Sequence, residues 1–335
     1  MHDLTSYAQL YPEMPIELCR FFKMESRESR LIPKTVFEFC SYYKEKYQTA
    51  DFPQPRVIAA ICDSLVNSGV LSVMHRAGDD GTNNQYLHVT GVDHITDQLS
   101  LYLFNKRVGY IIYGFKAIYE DYKRYVLPVE HISNTNQPSL GTCFSYKGGI
   151  LTAKHCIEHA KRIAIRGIKG ETLGQCKFKL HQNSKMDLVY IKFPVELPDT
   201  LLFGKKAEVL DEVMSLGYPI VPGFHNFLTG EGAVVSSRFT TSVGQVAALA
   251  DDFWIKQQLL LITAKIRGGN SGGPIVAKTG DVIGVAVNLA YGDGNYDEMG
   301  YGTVIPISFA DEIVNDPHPQ NLDVSKIQFV DFVED

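Results

Sequence analysis

Three residues carry the chemistry that this sequence offers. Ser271 sits in Gly268-Gly269-Asn270-Ser271-Gly272-Gly273-Pro274. Glycines let a backbone adopt positive φ and come close to a bound chain. Such a turn can aim backbone N–H groups at negative charge developing beside the serine oxygen. Upstream, Ile150-Leu151-Thr152-Ala153-Lys154-His155-Cys156 is a strand-like run that ends at a histidine. Between them, Lys185-Met186-Asp187-Leu188-Val189-Tyr190-Ile191 sets an aspartate at the mouth of an apolar strand. Acyl transfer by a serine needs a base for its proton, a group that orients the base, and donors for the oxyanion. Each residue also has an ordinary structural reading. Glycine–serine turns are common, His155 is one of ten histidines, and Asp187 could simply open a strand. Their coincidence in the order His, Asp, Ser, within matching local patterns, favours the chemical reading.

These motifs resemble the trypsin-like peptidase superfamily, and more closely its bacterial HtrA-type branch. Gly141-Thr142-Cys143-Phe144 is similar to the opening strand before the histidine, and Asp211-Glu212-Val213-Met214-Ser215-Leu216-Gly217-Tyr218-Pro219 to that branch's "GDxVxxxGYP" strand. Gly300-Tyr301-Gly302-Thr303-Val304-Ile305-Pro306 is similar to its closing strand. The resemblance covers roughly 128–315 and implies catalytic roles for His155 (base, then acid), Asp187 (orienting carboxylate) and Ser271 (nucleophile). It implies an oxyanion hole from the N–H groups of Gly269 and Ser271. It places Lys265, Val285, Ala286 and Val287 at the substrate, with Lys265 six residues before the nucleophile. A lysine there disfavours Arg or Lys at the cleaved bond. An acidic preference and a small or apolar preference both stay open. Asn270 stands where many secreted relatives carry an aspartate that pairs with a freshly cleaved amino terminus, so activation of that kind is not expected. No PDZ-like segment is expected after the protease, and Cys143 and Lys154 depart from the family pattern.

The chain has 335 residues, 45% of them apolar and 21% charged, with net charge −6. Length allows two or three domains. The acidic balance argues against a global nucleic-acid-binding role. No basic patch followed by an apolar run opens the sequence, and no apolar stretch reaches membrane length. The expected compartment is cytoplasmic. Cys19, Cys40 and Cys62 fall within apparent helices and read as buried free thiols. Cys143 and Cys156 flank the histidine strand, where secreted relatives often carry a bridge; a reducing compartment argues against one here. No zinc-type spacing is present, so neither metal nor cofactor is expected.

Helical spacing predicts helices over Pro15–Lys23, Pro33–Tyr47 and Pro55–Ser68. Gly69 stands where a C-terminal glycine cap belongs. Strands at Val70–His75 and Gln85–Thr90 follow, joined by a polar turn through Gly78, Asp79, Asp80 and Gly81. Three helices and a hairpin resemble a winged helix-turn-helix domain. Thr96 could cap a longer aromatic helix to about Arg124, weakened by roughly 1 kcal/mol at each of Gly109 and Gly114. After Tyr125, short apolar runs punctuated by glycine suggest all-β structure. The expected fold class is multidomain α+β: a winged-helix-like domain (1–92), a helical aromatic connector (93–127), an all-β double-barrel trypsin-like protease (128–315) and a tail (316–335).

These readings lead to a cytoplasmic serine endopeptidase acting on protein substrates. Its amino-terminal module would regulate it through a protein partner, with no membrane partner. Such an arrangement is similar to effector proteases of bacterial defence and stress systems. The alternative is a DNA-binding regulator with a protease-like sensor domain, and a third reading is a catalytically silent scaffold. Residues 1–90 hold nine Lys and Arg against eleven Asp and Glu. The candidate recognition helix carries Arg56 as its one cation, beside Asp63. DNA binding needs a surface that neutralises phosphates, so protein docking is favoured over a nucleic-acid partner.

Overall fold

The computed structural model describes residues 7, 10–27, 30–49, 51–77, 81–88, 92–197, 203–204, 206–221, 227–228, 234–235, 238–252, 256–287 and 300–333. The expected turn residues Gly78, Asp79 and Asp80 lie outside these. The chain forms two compact units, Met1–Ala117 and Ile118–Asp335.

In the first unit, helices Met14–Phe21, Val36–Tyr47 and Pro55–Asn67 pack through the residues whose spacing announced them. Ile58, Ile61, Cys62 and Leu65 are buried on one face, and Val36, Cys40 and Tyr43 on another. The second helix starts later than Pro33 because Thr35 caps it. Glu38 N–H donates to Thr35 Oγ1 (3.2 Å), and Thr35 N–H donates to Glu38 Oε2 (2.7 Å), which satisfies two otherwise orphaned donors. Gly69, at φ 72°, follows the third helix, a conformation that glycine adopts without Cβ strain. Lys34–Thr35 and Leu71–His75 flank Gln85–His88 in a three-stranded sheet.

The aromatic segment Gln98–Tyr122 is two helical stretches that meet at Gly114, where φ is 66° and the backbone is not helical. Gly109 stays helical and approaches Pro15 Cγ, 3.8 Å from where a Cβ would stand. Val108 and Ile112 belong to the first unit's core. The segment over 93–127 is shared between the units and does not stand apart as a connector: Phe104, Val108 and Ile111 pack in the first unit's core, Tyr119 stacks on Phe239 and Tyr122 is buried in the second, and the boundary falls between Ala117 and Ile118.

The second unit is built on two large sheets, beside a separate two-stranded pair of Phe227–Leu228 with Val234–Val235. The first holds β1 (Val126–Ser133), β2 (Pro138–Tyr146), β3 (Gly149–Thr152), β4 (Ala160–Ile165), β5 (Lys177–Leu180) and β6 (Val189–Lys192). The second holds β7 (Phe203–Gly204), β8 (Glu212–Gly217), β9 (Thr240–Asp251), β10 (Gln258–Ile262), β11 (Pro274–Ala277), β12 (Asp281–Val287) and β13 (Gly302–Pro306). The second sheet closes as a barrel through β12–β13 pairing, with β7 parallel to β12. Each sheet encloses its own apolar core.

The expected tail is part of the fold. After the helix Ile307–Asn315, β14 (Gln320–Asn321) pairs with β5, and β15 (Gln328–Phe329) pairs with β4. Phe329 stacks on Phe178 with ring centroids 5.5 Å apart. Outer strands present unpaired backbone groups, and these two short segments cover β4 and β5. A division at 315 therefore misses the last strands of the first sheet.

Candidate active site

The β3–β6 pairing brings the histidine and aspartate together. Thr152 stands opposite Val189 in antiparallel register. The chain leaving β3 and the chain entering β6 therefore meet at one end of the sheet. His155 lies on the short 3-10 turn Lys154–Cys156, and Asp187 precedes β6. Asp187 uses both carboxylate oxygens on the histidine. Oδ1 accepts the His155 backbone N–H at 2.9 Å, and Oδ2 lies 2.6 Å from Nδ1. That fixes the ring and assigns the Nδ1 proton to the carboxylate side, leaving Nε2 as the basic nitrogen. Burial pushes the imidazole pKa down, but the Asp187 hydrogen bond and charge, with Cys156 acting in the same direction, hold it above its ordinary value. His131 on β1 shows the opposite behaviour: burial and the neighbouring His155 lower it to about 4.

Ser271 is 4% exposed, in the turn that leads into β11. The carbonyls of this turn are tied one by one. Gly268 O accepts from Ile220 N–H (2.8 Å), Gly269 O from Thr142 Oγ1 (2.7 Å), Asn270 O from Gly273 N–H (2.9 Å) and Ser271 O from Thr142 N–H (2.9 Å). The N–H groups of Asn270, Gly272 and Gly273 donate to Arg267 O, Ala286 O and Asn270 O. Those of Gly269 and Ser271 donate to no other described residue. A trans peptide points its N–H opposite its C=O, so tying Gly268 O to Ile220 turns the Gly269 N–H to the far side.

Gly269 and Gly272 have φ of 96° and 86°. A Cβ at Gly272 would collide with Thr142 O and Thr152 Oγ1, and one at Gly269 with Tyr218 O. Gly272→Ala should therefore lower stability by about 3 kcal/mol, combining left-handed backbone strain and overpacking. Urea unfolding followed by fluorescence measures this. A loss below about 1 kcal/mol would show that the turn relaxes without strain.

The predicted substrate residues differ in exposure. Lys265 is exposed and lines a cavity of about 220 Å³ with Ser215, Thr241, Ser242, Arg267 and Asn270. Val285, Ala286 and Val287 do not line this cavity and are at most 1% exposed. Their side chains are buried in β12, and Ala286 meets the turn through its backbone. Lys265 borders β8 and β9, where its N–H donates to Ser242 Oγ at 3.0 Å. Cys143 and Cys156 are both free thiols. The residue facing Cys156 Sγ is Gly141, where a Cβ would stand 2.5 Å away. Among the described residues, no group of His, Cys, Asp and Glu is arranged to hold a metal ion.

Sequence reasoning missed the contacts of Thr142, Tyr218 and Ile220 with the turn. Their signal was present in Gly141-Thr142 and Gly217-Tyr218-Pro219-Ile220, where glycine flanks a polar or aromatic residue at a strand end. What those residues touch lies more than forty positions away.

Residues 141–285 match the trypsin-like peptidase domain family. The chain is similar to a probable periplasmic serine endoprotease DegP-like of Chlamydia trachomatis, 28% identical over 177 residues, covering 52% of this chain and 32% of that protein. It is also similar to the serine endoprotease DegS of Haemophilus influenzae, 25% identical over 181 residues, covering 53% of this chain and 49% of that protein. The matched region spans less than half the length of either relative. A solved structure similar to the chain is the active form of the Rv3671c protease from M. tuberculosis, with TM-score 0.43, 18% identity and coverage of 64% of this chain and 86% of that one. The stretch that matches the trypsin-like peptidase domain family lies within the second unit.

Proposed function

We propose that the protein is a serine endopeptidase acting on protein substrates, with His155, Asp187 and Ser271 as its catalytic residues. The observation that carries this reading is the pattern of hydrogen bonds in the nucleophile turn. The two N–H groups without a partner among the described residues, Gly269 and Ser271, are those needed for an oxyanion. Ser271 Oγ would attack the scissile carbonyl carbon and pass its proton to His155 Nε2. The C–N bond would break as His155 returns that proton to the leaving amine. Water, deprotonated by the same nitrogen, would then release the acyl group from Ser271. Asp187 would hold the ring and stabilise the transient imidazolium.

The first unit, in this proposal, is a winged-helix-like regulatory module that docks a protein. Its helices and three-stranded sheet support that shape. The runner-up, DNA docking, is weakened by charge. Arg56 is the sole cation of Pro55–Asn67, and Asp63 on that helix pairs with Arg76 at 3.0 Å. Six free, buried cysteines support a reducing, cytoplasmic setting. A role as an effector in bacterial defence or stress belongs to the same proposal and rests on analogy of organisation.

A fluorophosphonate probe tests the enzyme reading. It should label the wild-type chain at Ser271, located by mass spectrometry of the digest, and block peptide hydrolysis in proportion. Labelling elsewhere, or undiminished hydrolysis by the fully labelled protein, would refute it. Specific submicromolar binding of a DNA duplex at near-physiological salt would favour the alternative for the first unit.

A further inference from the structure

We propose that Thr142 is a positioning residue that holds both oxyanion donors in place from the neighbouring sheet. Thr142 belongs to β2, in the first sheet, and the nucleophile turn leads into β11, in the second. Its hydroxyl donates to Gly269 O at 2.7 Å and accepts the Tyr218 N–H at 3.0 Å. Its own N–H donates to Ser271 O at 2.9 Å. One residue thus ties the carbonyls of the two residues whose N–H groups are left for an oxyanion. Thr142 itself is held by Thr152 Oγ1, which donates to Thr142 O at 2.7 Å.

Two features make the hydroxyl hard to replace. Thr142 has no exposed surface, so bulk water has no access to the bond it makes. Both capacities of the hydroxyl, donor and acceptor, are used on backbone groups. Removing it leaves the Gly269 carbonyl and the Tyr218 N–H without that partner in the interior. A buried carbonyl without a partner is costly and reorients toward any available donor. The Gly269–Asn270 peptide lies between the two peptides that carry the Gly269 and Ser271 N–H groups, so releasing it loosens the backbone torsions that join them. Donors aimed at the oxyanion act through pre-set geometry, so misalignment is felt in the transition state more than in substrate binding.

This inference rests on the serine-peptidase reading, and the experiment separates the two. Thr142→Val keeps the shape and removes the hydroxyl, while Thr142→Ser keeps the hydroxyl and removes a methyl. In peptide hydrolysis, Thr142→Val should lower kcat about a hundredfold with KM changed less than about threefold. Thr142→Ser should restore kcat to within about threefold of wild type. Amide hydrogen exchange of a peptide covering 268–273 is followed in parallel in Ser271→Ala protein, which needs no turnover. Thr142→Val should speed that exchange about tenfold without altering peptides from the first unit. If Thr142→Val does not fold, Thr142→Ala takes its place in both measurements. A kcat within threefold of wild type, a loss confined to KM, no recovery by Thr142→Ser, or unchanged exchange would each overturn the proposal. A wild-type chain without hydrolysis, with the exchange difference intact, would instead overturn the enzyme reading and leave the turn-holding role standing.

Discussion

Ser271→Ala should abolish peptide-bond cleavage, with turnover falling about a million-fold, the scale found when the nucleophile of a comparable triad is removed. Alanine deletes the one atom that forms the acyl bond and leaves the backbone bonds of the turn untouched. Ser271 O should still accept from Thr142 N–H, and the Gly269 N–H should still point away from Ile220. The fold should therefore survive, with a denaturation midpoint close to wild type. Steady-state hydrolysis of a fluorogenic peptide, together with an active-site burst measurement, checks the effect. Residual turnover within about a thousandfold of wild type would mean that another group is the nucleophile.

Asp187→Asn should reduce kcat by about ten-thousandfold, as in a comparable triad. The amide can donate to Nδ1, and so favours the tautomer with its proton on Nε2, which cannot take the serine proton. A second effect appears in the pH profile. The Asp187 carboxylate favours the protonated imidazole and holds the His155 pKa above its ordinary value. The base must be neutral to work, so wild-type kcat/KM is present above that raised pKa and lost as pH falls through it. In Asp187→Asn that support is gone, and the acidic limb of whatever activity remains should move to lower pH. The profile of kcat/KM against pH for both proteins decides this. An acidic limb that stays in place would show that Asp187 does not set the histidine's titration. Burial works against the carboxylate here, so losing it should leave a base weaker than an exposed histidine.

Much of the candidate site's geometry was legible in the sequence because it is local. A serine needing left-handed glycines on both sides writes its turn into seven consecutive residues, and the structure gives Gly269 and Gly272 that conformation. His155 and Asp187 each mark the edge of an apolar strand, and the β3–β6 register brings them together. The first unit's helix faces were legible for a similar reason. What escaped was non-local. Thr142 reads as an ordinary strand residue, and its three bonds to the turn and its flank reach Tyr218, Gly269 and Ser271. The sequence distance of Lys265 from Ser271 did not show that it borders Ser215 on β8 and Thr241 and Ser242 on β9. The aromatic segment showed an apolar stripe without showing what buries it. Residues 320–329 are polar enough to read as a tail, and only pairing partners some 140–170 positions upstream make them strands.

Those late strands also set a timetable for synthesis. Gly170 carries no side chain where the backbone of Phe329 and Val330 passes, and its N–H donates to Asp331 Oδ1 at 2.7 Å. The first sheet, which carries His155 and Asp187, therefore has its outer strands covered only by chain made after the nucleophile turn. Chains emerge from the ribosome at about 5–20 residues per second. Roughly 160 residues separate β4 from its last partner, so that flank stays open for on the order of ten seconds. During that interval the nascent sheet exposes β4 and β5 as sticky edges. A chain stalled before residue 320 would be a candidate for chaperone capture, with its histidine and serine both already made.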